Sequence, residues 1–449
     1  MHEYEFNVVL DGAYPYVPYA PKRKSNFVDL PNTHFDPVLG QRVLEDQLET
    51  LISLETLGYD GAMMTEQHNG PIGSLGNPMM AGAYVAARTK RIRVGVVGPI
   101  INDYASPLRL AEEIATLDTM TGGRAFFGLP MGHGMQHHST GVMNPARARR
   151  RMYESHDLLM AAFTRPGPFE WQGEFFHIPY VNLWPKPLQQ PHPPVFIPGG
   201  GSIETLKLVA KHRYTYQAAL TPRPALLQRI EMLRDFCREE GYELDRRQLA
   251  LVISVHVAET DAQARKEAEA HELWAYQNFF RSPAHDNFPP GYVTESSLRK
   301  AMAGGYRSTP LSEIGIDTMM EHGWLVAGSP ETVASRLTEL LDEAGAARAV
   351  LGMNSGTKPR WLAQKNLTMF AEEVIPRMRP GGRPPSEDER TVGYRTNSEF
   401  GARRPADALM PTASLGTGGL VDVTTAHVPE LREQLVEPWP PVDDVDTNS

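Results

Sequence analysis

The chain has 449 residues, 41% hydrophobic and 22% charged, which lies within the range of soluble globular proteins and excludes a fibrous or wholly disordered chain. Lysine and arginine number 44 against 54 aspartates and glutamates, a formal charge of −10 with no basic patch, so nucleic acid is not an expected partner. No run of about 18 apolar residues and no signal-peptide pattern occurs, and the only cysteine, Cys237, excludes an internal disulfide or a multi-cysteine metal site; no membrane contact and a cytoplasmic location are expected.

Short β-rich runs alternate with amphipathic helices, as in parallel βα units. The first strand is expected at 6–10, followed by a Pro- and Tyr-rich excursion over 11–40 and a helix over 41–57 that Gly58 ends. Strand two at 60–65 leads to a helix over Pro78–Arg88, and strand three at 93–97 leads to a helix over 107–120 with Pro107 at its first position. Strand four spans 124–129; a His- and Gly-rich loop separates it from a helix over 146–163, and 171–178 reads as an accessory hairpin turning at Gly173. Strand five at 195–198 runs through Gly199–Ser202 into a helix over 203–211, and strand six at 214–219 precedes a helix over 225–240 in which Cys237 reads as a small buried hydrophobe. Strand seven, Leu249–Val257, precedes a long helix over 261–276. A second irregular insertion covers about 278–323, after which a helix over Pro330–Ala344, a strand at 349–353 and a helix over 359–378 bring the count to eight strands. Eight such units predict a TIM-like (β/α)8 barrel over residues 1–378 with two insertions, followed by an irregular, polar, Pro- and Gly-containing C-terminal tail over 379–449.

Barrels of this kind carry their chemistry at the C-terminal ends of the strands. After strand two the run Thr65, Glu66, Gln67, His68 leaves the core for polar groups, and His68 is the catalytic candidate, with a loop-fixing role through Asn69 or Asn77 as the structural alternative. Strand three ends in Gly98-Pro99, an X-Pro link for which the cis form costs only about 0.5–1 kcal/mol although trans is the default. Gly199, Gly200, Gly201 and Ser202 before a helix offer amide N–H groups, a helix dipole and a hydroxyl, which suit a phosphate and equally describe a tight βα turn. In the loop from Met131 to His138, His133 and His137 are four apart, but no carboxylate accompanies them, so contact with a cofactor or substrate is favoured and no metal is expected. The glycine fingerprints of Rossmann, α/β-hydrolase and P-loop enzymes are missing from their required contexts.

In order along the chain stand Leu57-Gly-Tyr-Asp60, Glu66-Gln-His68, Leu75-Gly-Asn-Pro78, Ser106-Pro-Leu-Arg-Leu-Ala-Glu112, Gly122-Gly-Arg124, Pro194-Val-Phe-Ile197 and Gly328-Ser-Pro-Glu-Thr-Val333. This ordered set resembles the bacterial luciferase-like superfamily of flavin-dependent oxidoreductases, over roughly residues 6–378. The resemblance implies a flavin, FMN or the deazaflavin F420, at the C-terminal face of the barrel. It matches Gly98–Pro99 to the family's cis-peptide bulge behind the flavin ring, Gly200, Gly201 and Ser202 to the phosphate turn, and Tyr153 to a position that contacts the flavin side chain in some members. Met131 stands where luciferase has a phosphate-holding arginine, so neutralisation must come from elsewhere, for instance His133, or from amides. Gln67 stands where luciferase has its catalytic histidine, with His68 the adjacent imidazole.

The function so implied is a flavin-dependent monooxygenase in which reduced FMN, delivered by a separate flavin reductase, and O2 oxygenate a small organic substrate. The alternatives are an F420-dependent hydride-transfer oxidoreductase and a non-catalytic flavin-binding homologue. The insertions, with Tyr14, Tyr16 and Tyr19 in the first and Phe279, Phe280, Phe288 and Tyr292 in the second, are candidates for a lid. A homodimer through early βα helices is expected, and 429–436 in the tail is a candidate docking segment.

Overall fold

A computed structural model describes residues 4–17, 25, 29–132, 136, 144–279, 283, 289, 291–292, 294–295, 299, 313–354 and 357–379. The expectations for Tyr19, His133, His137, His138, Phe280, Phe288 and the tail from residue 380 onward lie outside the described residues.

Eleven strands are described: β1 Glu5–Leu10, β2 Gly61–Met64, β3 Arg93–Val96, β4 Ala125–Gly128, β5 Phe169–Gln172, β6 His177–Val181, β7 Val195–Gly199, β8 Thr215–Ala218, β9 Leu249–Val257, β10 Leu325–Gly328 and β11 Arg348–Gly352. Parallel pairing runs β1-β2-β3-β4-β7-β8-β9-β11 and returns from β11 to β1, which closes eight strands into a barrel. Every residue of β2, β3, β4 and β8 is buried, as strands with helices on one face and a packed interior on the other require. The interior is filled by Met63, Val97, Phe126, Phe196, Ala250 and Val350. Phe127, one residue on, belongs instead to the larger core between strands and helices, so the period-two alternation sorts side chains into two layers. Gly95 has no side chain because the Phe126 ring fills the space a Cβ would occupy.

The closed barrel agrees with the pattern in the sequence, and four local findings differ from it. The first helix is Pro37–Leu57, beginning four residues earlier than expected, because Asp36 caps it through bonds from Val38 N (2.8 Å) and Leu39 N (3.0 Å) and proline suits the first turn. The long helix after β9 is broken into Asp261–Ala268, a π-helical turn Glu269–Leu273 and Trp274–Asn278. A ninth parallel strand, β10, pairs with the upper half of β9 in the register Leu325↔Ser254 to Gly328↔Val257; it is a short apolar run like β2 and β3, but it adjoins the second irregular insertion and stands outside the eight βα units that close the barrel. Arg379, expected to open the tail, is buried: its Nε donates to Tyr4 O (2.8 Å) and its guanidinium pairs with Asp60, whose Oδ2 also accepts from Phe6 N (2.8 Å). The expected hairpin is present as the antiparallel pair β5 and β6, held by Glu154, whose carboxylate accepts from Trp171 Nε1 and from the backbone of Phe175 and Phe176. Cys237 is buried and reduced. No described helix is long and apolar enough to cross a membrane.

His192 is buried beside Tyr214, its Nδ1 donating to Pro193 O at 2.8 Å, and burial pushes its pKa down to about 4. The fold therefore prefers the neutral ring, whereas the unfolded chain takes up the proton near pH 6.5. Stability from this group is complete above about pH 6.5 and is lost as pH falls toward 4. Between about pH 7.5 and 4.5 the loss is roughly 2–3 kcal/mol. Urea unfolding of His192→Gln alongside the parent chain should show an acid limb flatter by that amount. The comparison cancels Asp118, whose carboxyl burial pushes up to about 6 and which acts in the opposite sense. Parallel acid limbs would mean that His192 is not kept neutral by the fold.

Candidate active site

At the C-terminal ends of the barrel strands lies a cavity of about 440 Å³, lined by residues in or just after every one of the eight strands, from Asp11 after β1 and Glu66 after β2 to Ser254 in β9 and Asn354 after β11. Its polar groups fall into three sets.

The first is the turn after β7. Gly201 has φ +74°, and a Cβ there would stand 2.6 Å from Tyr216 Oη, so both conformation and space demand glycine. Ser202 caps the helix Ile203–His212, its Oγ accepting from Thr205 N at 3.2 Å. Gly200, Gly201 and Ser202 all line the cavity. Two arginines reach the cavity on this side: Arg149 from the helix Ala148–Thr164, whose charge acts on Glu204 in the first turn of the helix Ile203–His212, and Arg229 from the helix Arg223–Glu239, whose Nε donates to Gly200 O at 3.4 Å. Helix N-terminus, glycine backbone and two guanidinium groups make a cradle that fits a phosphate monoester. Met131 also lines the cavity, without charge; among the described residues the cations of the lining come from helices.

The second set follows β2 and β3. Glu66 faces the cavity, while His68 stands behind it, outside the lining, half-buried, with Nε2 2.7 Å from Glu66 Oε1. Glu66 Oε2 accepts from Ile100 N at 3.2 Å. Burial raises the Glu66 pKa and the hydrogen bond to Glu66 raises that of His68, so the pair holds a proton between carboxyl and imidazole more firmly than either group would alone. Asp103 brings a third donor atom, all within 4.8 Å of one another, a set whose chemistry suits a divalent cation as well as a proton. Gln67 lines the cavity, its Oε1 accepting from Gln136 Nε2 at 2.8 Å. Gly98 also lines it, pressed so closely against the Thr65–Glu66 backbone that no Cβ fits. The Gly98–Pro99 link is not among the cis peptides of the described residues, which are Gly167–Pro168, Trp184–Pro185 and Gln190–Pro191. The expectation of a cis link is therefore corrected: a glycine already permits the close approach of β3 to β2, and the trans form is the lower in energy.

The third set lies where β1 and β9 end. Asp11 Oδ1 accepts from Thr65 Oγ1 at 2.6 Å, and burial raises its pKa. Gln47, from the first helix, donates Nε2 to Ala13 O at 2.8 Å. Glu272, placed at the cavity by the π turn, forms an ion pair with the fully buried Lys358, whose Nζ also donates to Met353 O at 2.7 Å. Ser254 and Tyr276 complete this wall, their hydroxyl oxygens 3.4 Å apart.

Of the remaining sequence candidates, Tyr153 packs into the core between helices and barrel, and it is Arg149 and Met152 of its helix that reach the cavity. The second insertion contributes Phe279 and Tyr292 to the lining, the Tyr292 hydroxyl donating to Gly132 O. In the first insertion Tyr14 packs on Phe35 and Tyr16 instead, and Asp11, Gly12 and Ala13 are its contacts with the cavity. Asp11, Gln47, Arg149, Arg229, Glu272 and Lys358 were not singled out from the sequence. Only Asp11, one residue past a strand, carried a local signal that could have found it.

A family model described as luciferase-like monooxygenase matches residues 27–348. Limonene 1,2-monooxygenase of Rhodococcus erythropolis is 25% identical over 344 residues, 74% of this chain and 81% of that protein. Among solved structures, the oxygenating constituent of 3,6-diketocamphane monooxygenase from Pseudomonas putida, a type II Baeyer-Villiger monooxygenase in complex with FMN, matches with a TM-score of 0.63 and 18% identity over 84% of this chain and 99% of that one. The coenzyme F420 dependent tetrahydromethanopterin reductase of Methanopyrus kandleri matches with a TM-score of 0.58 and 19% identity, over 84% and 100%. At these identities the two structural matches speak for the barrel itself.

Proposed function

Because this chain belongs to the luciferase-like monooxygenase family, we propose that it is a flavin-dependent monooxygenase that takes reduced FMN from a separate flavin reductase and uses O2 to oxygenate a small organic substrate. The observation that carries the choice of a phosphate-bearing flavin is the cradle of Gly200, Gly201, Ser202, Arg149 and Arg229 at one end of the cavity. Reduced FMN, when bound, supplies the two electrons with which one oxygen atom of O2 enters the substrate and the other leaves as water.

The chain's own part is to bind, orient and keep water out. Gly200, Gly201 and Ser202 present backbone N–H groups and a hydroxyl to the phosphate, and the two arginines balance its charge. Met131 and Gly98 offer apolar surface and bare backbone to a planar ring. Glu66, on the cavity wall, donates or accepts the proton that the oxygenation moves, and His68 behind it holds that proton in reserve through the 2.7 Å bond. Phe279 and Tyr292, both buried, add aromatic surface to the lining, which helps to keep water out. Met80 and Tyr84, one turn apart on the helix Pro78–Arg88, and Met120 on the helix Pro107–Thr121 are exposed apolar side chains that a homodimer through these early helices would cover.

The test uses the purified full chain with a general NADH-dependent FMN reductase, isotopically labelled O2 and a panel of terpenoid alkenes, ketones and alcohols. Label in a product, dependent on FMN reduction, is the expected result. Tight binding of F420, with hydride transfer to substrate that proceeds without O2, would replace this reading by the F420-dependent one.

A further inference from the structure

The two ends of the cavity differ in charge and in hydrogen-bonding sense. Among the described lining residues the cations are Arg149 and Arg229, both at the turn after β7. On the far side, at β1, four strands round the barrel from β7, oxygen acceptors gather instead. Asp11 has one carboxylate oxygen engaged by Thr65, and the accessible surface it keeps belongs to the cavity wall. Gln47 is only 6% exposed. Its Nε2 is committed to Ala13 O, which settles which end of the amide is oxygen, and Oε1 then finds no donor among the described residues. A buried acceptor without a donor is costly, and Gln47 is among the residues that line the cavity. Around these two groups the wall is mostly apolar, made by Ala13, Ile72, Ala275 and Phe279, with the hydroxyls of Ser254 and Tyr276 and the Lys358-paired Glu272 completing it.

We propose that this side of the cavity selects an apolar alcohol as substrate, its hydroxyl donating to Gln47 Oε1, and that Asp11 beside it excludes carboxylates. The proposal rests on the flavin-dependent reading only in giving the arginine end to the cofactor. A hydroxyl group satisfies the amide oxygen that a hydrocarbon leaves bare. A ligand carboxylate meets the Asp11 carboxyl on a buried wall that already opposes ionisation, with no free cation among its described residues, since Lys358 is paired with Glu272. The substrate is thus held by its functional group at one end and by van der Waals contact along the rest.

Calorimetric titration of the full chain with three molecules of one carbon skeleton tests this: limonene, perillyl alcohol and perillate. Perillyl alcohol should bind about tenfold or more tighter than either of the others. In Gln47→Met, which keeps the side-chain length and removes the acceptor, its advantage over limonene should fall below about threefold. In Asp11→Asn perillate should gain affinity. The ranking in the unaltered chain needs no variant to fold, and three results overturn the proposal: perillate binding as tightly as the alcohol, none of the three binding, or an alcohol advantage that survives Gln47→Met. FMN binding, followed in the same samples by quenching of flavin fluorescence, separates the two readings. FMN bound without alcohol preference removes the substrate class alone, whereas alcohol preference without FMN binding removes the flavin-dependent function.

Discussion

Arg229→Met is expected to weaken FMN binding by about 10- to 100-fold while leaving riboflavin, the same ring system without the phosphate, within about twofold. Arg229 reaches the glycine turn from a different helix and donates to Gly200 O, so its guanidinium stands where a phosphate held by Gly201 and Ser202 would sit. Hydrogen bonds to charged groups contribute about 1.5–3 kcal/mol each, which sets the size of the loss. Methionine keeps the aliphatic stem that packs beside the turn and removes only the charge and its donors. Gly201→Val is expected to weaken FMN binding by at least about tenfold as well, but less cleanly. The positive φ and the 2.6 Å approach to Tyr216 Oη mean that it strains the fold in addition to displacing the amides. Equal loss of FMN and riboflavin in Arg229→Met, or none of either, would place the phosphate elsewhere.

His68→Ala is expected to retain reduced-FMN binding within about threefold and to lower substrate oxygenation by roughly 10² or more, with hydrogen peroxide released in place of product. His68 does not touch the cavity; it acts through Glu66, and Glu66→Gln should cost at least as much. Because the two groups work as one unit, the double variant should fall little below Glu66→Gln alone, far short of the product of the single losses. The pH profile carries a further signature. The Glu66 contact raises the His68 pKa, so Glu66→Gln should move the imidazole limb of the rate profile to lower pH, a shift that a residue with a merely structural role would not produce. The readout is the ratio of oxygenated product to hydrogen peroxide at matched reduced FMN. A normal ratio and rate in His68→Ala together with a large loss in Glu66→Gln would leave Glu66 as the proton carrier and His68 as a loop anchor.

The barrel was legible before any coordinates because its signals are local. A strand buried on both faces is a short apolar run whatever its neighbours, a helix repeats its apolar face every three or four residues, and Pro78, Pro107 and Gly58 mark starts and stops within one turn. The same holds for the turn Gly199–Ser202, whose amides and capping hydroxyl belong to neighbouring residues. Two elements escape such signals: β10 adjoins an irregular insertion rather than alternating with the helices of the eight units, and a single π turn inside a helical pattern leaves the apolar spacing nearly intact.

The cavity wall was another matter. Arg229 meets Gly200 across 29 residues, Gln47 meets Ala13 across 34 and Asp11 meets Thr65 across 54. Along the chain Arg229 is one more charge on a helix and Gln47 one more polar residue in a helix, with nothing in the flanking sequence to distinguish them. Likewise, Glu66 and His68 both stood in the visible motif, yet which of them faced the cavity depended on how the chain leaves β2 beneath the backbone of Gly98. Periodicity and turn chemistry settle which segments become strands and helices. What faces the centre is set by the closing of eight strands into a ring, which brings together side chains whose neighbours in space are strangers in sequence.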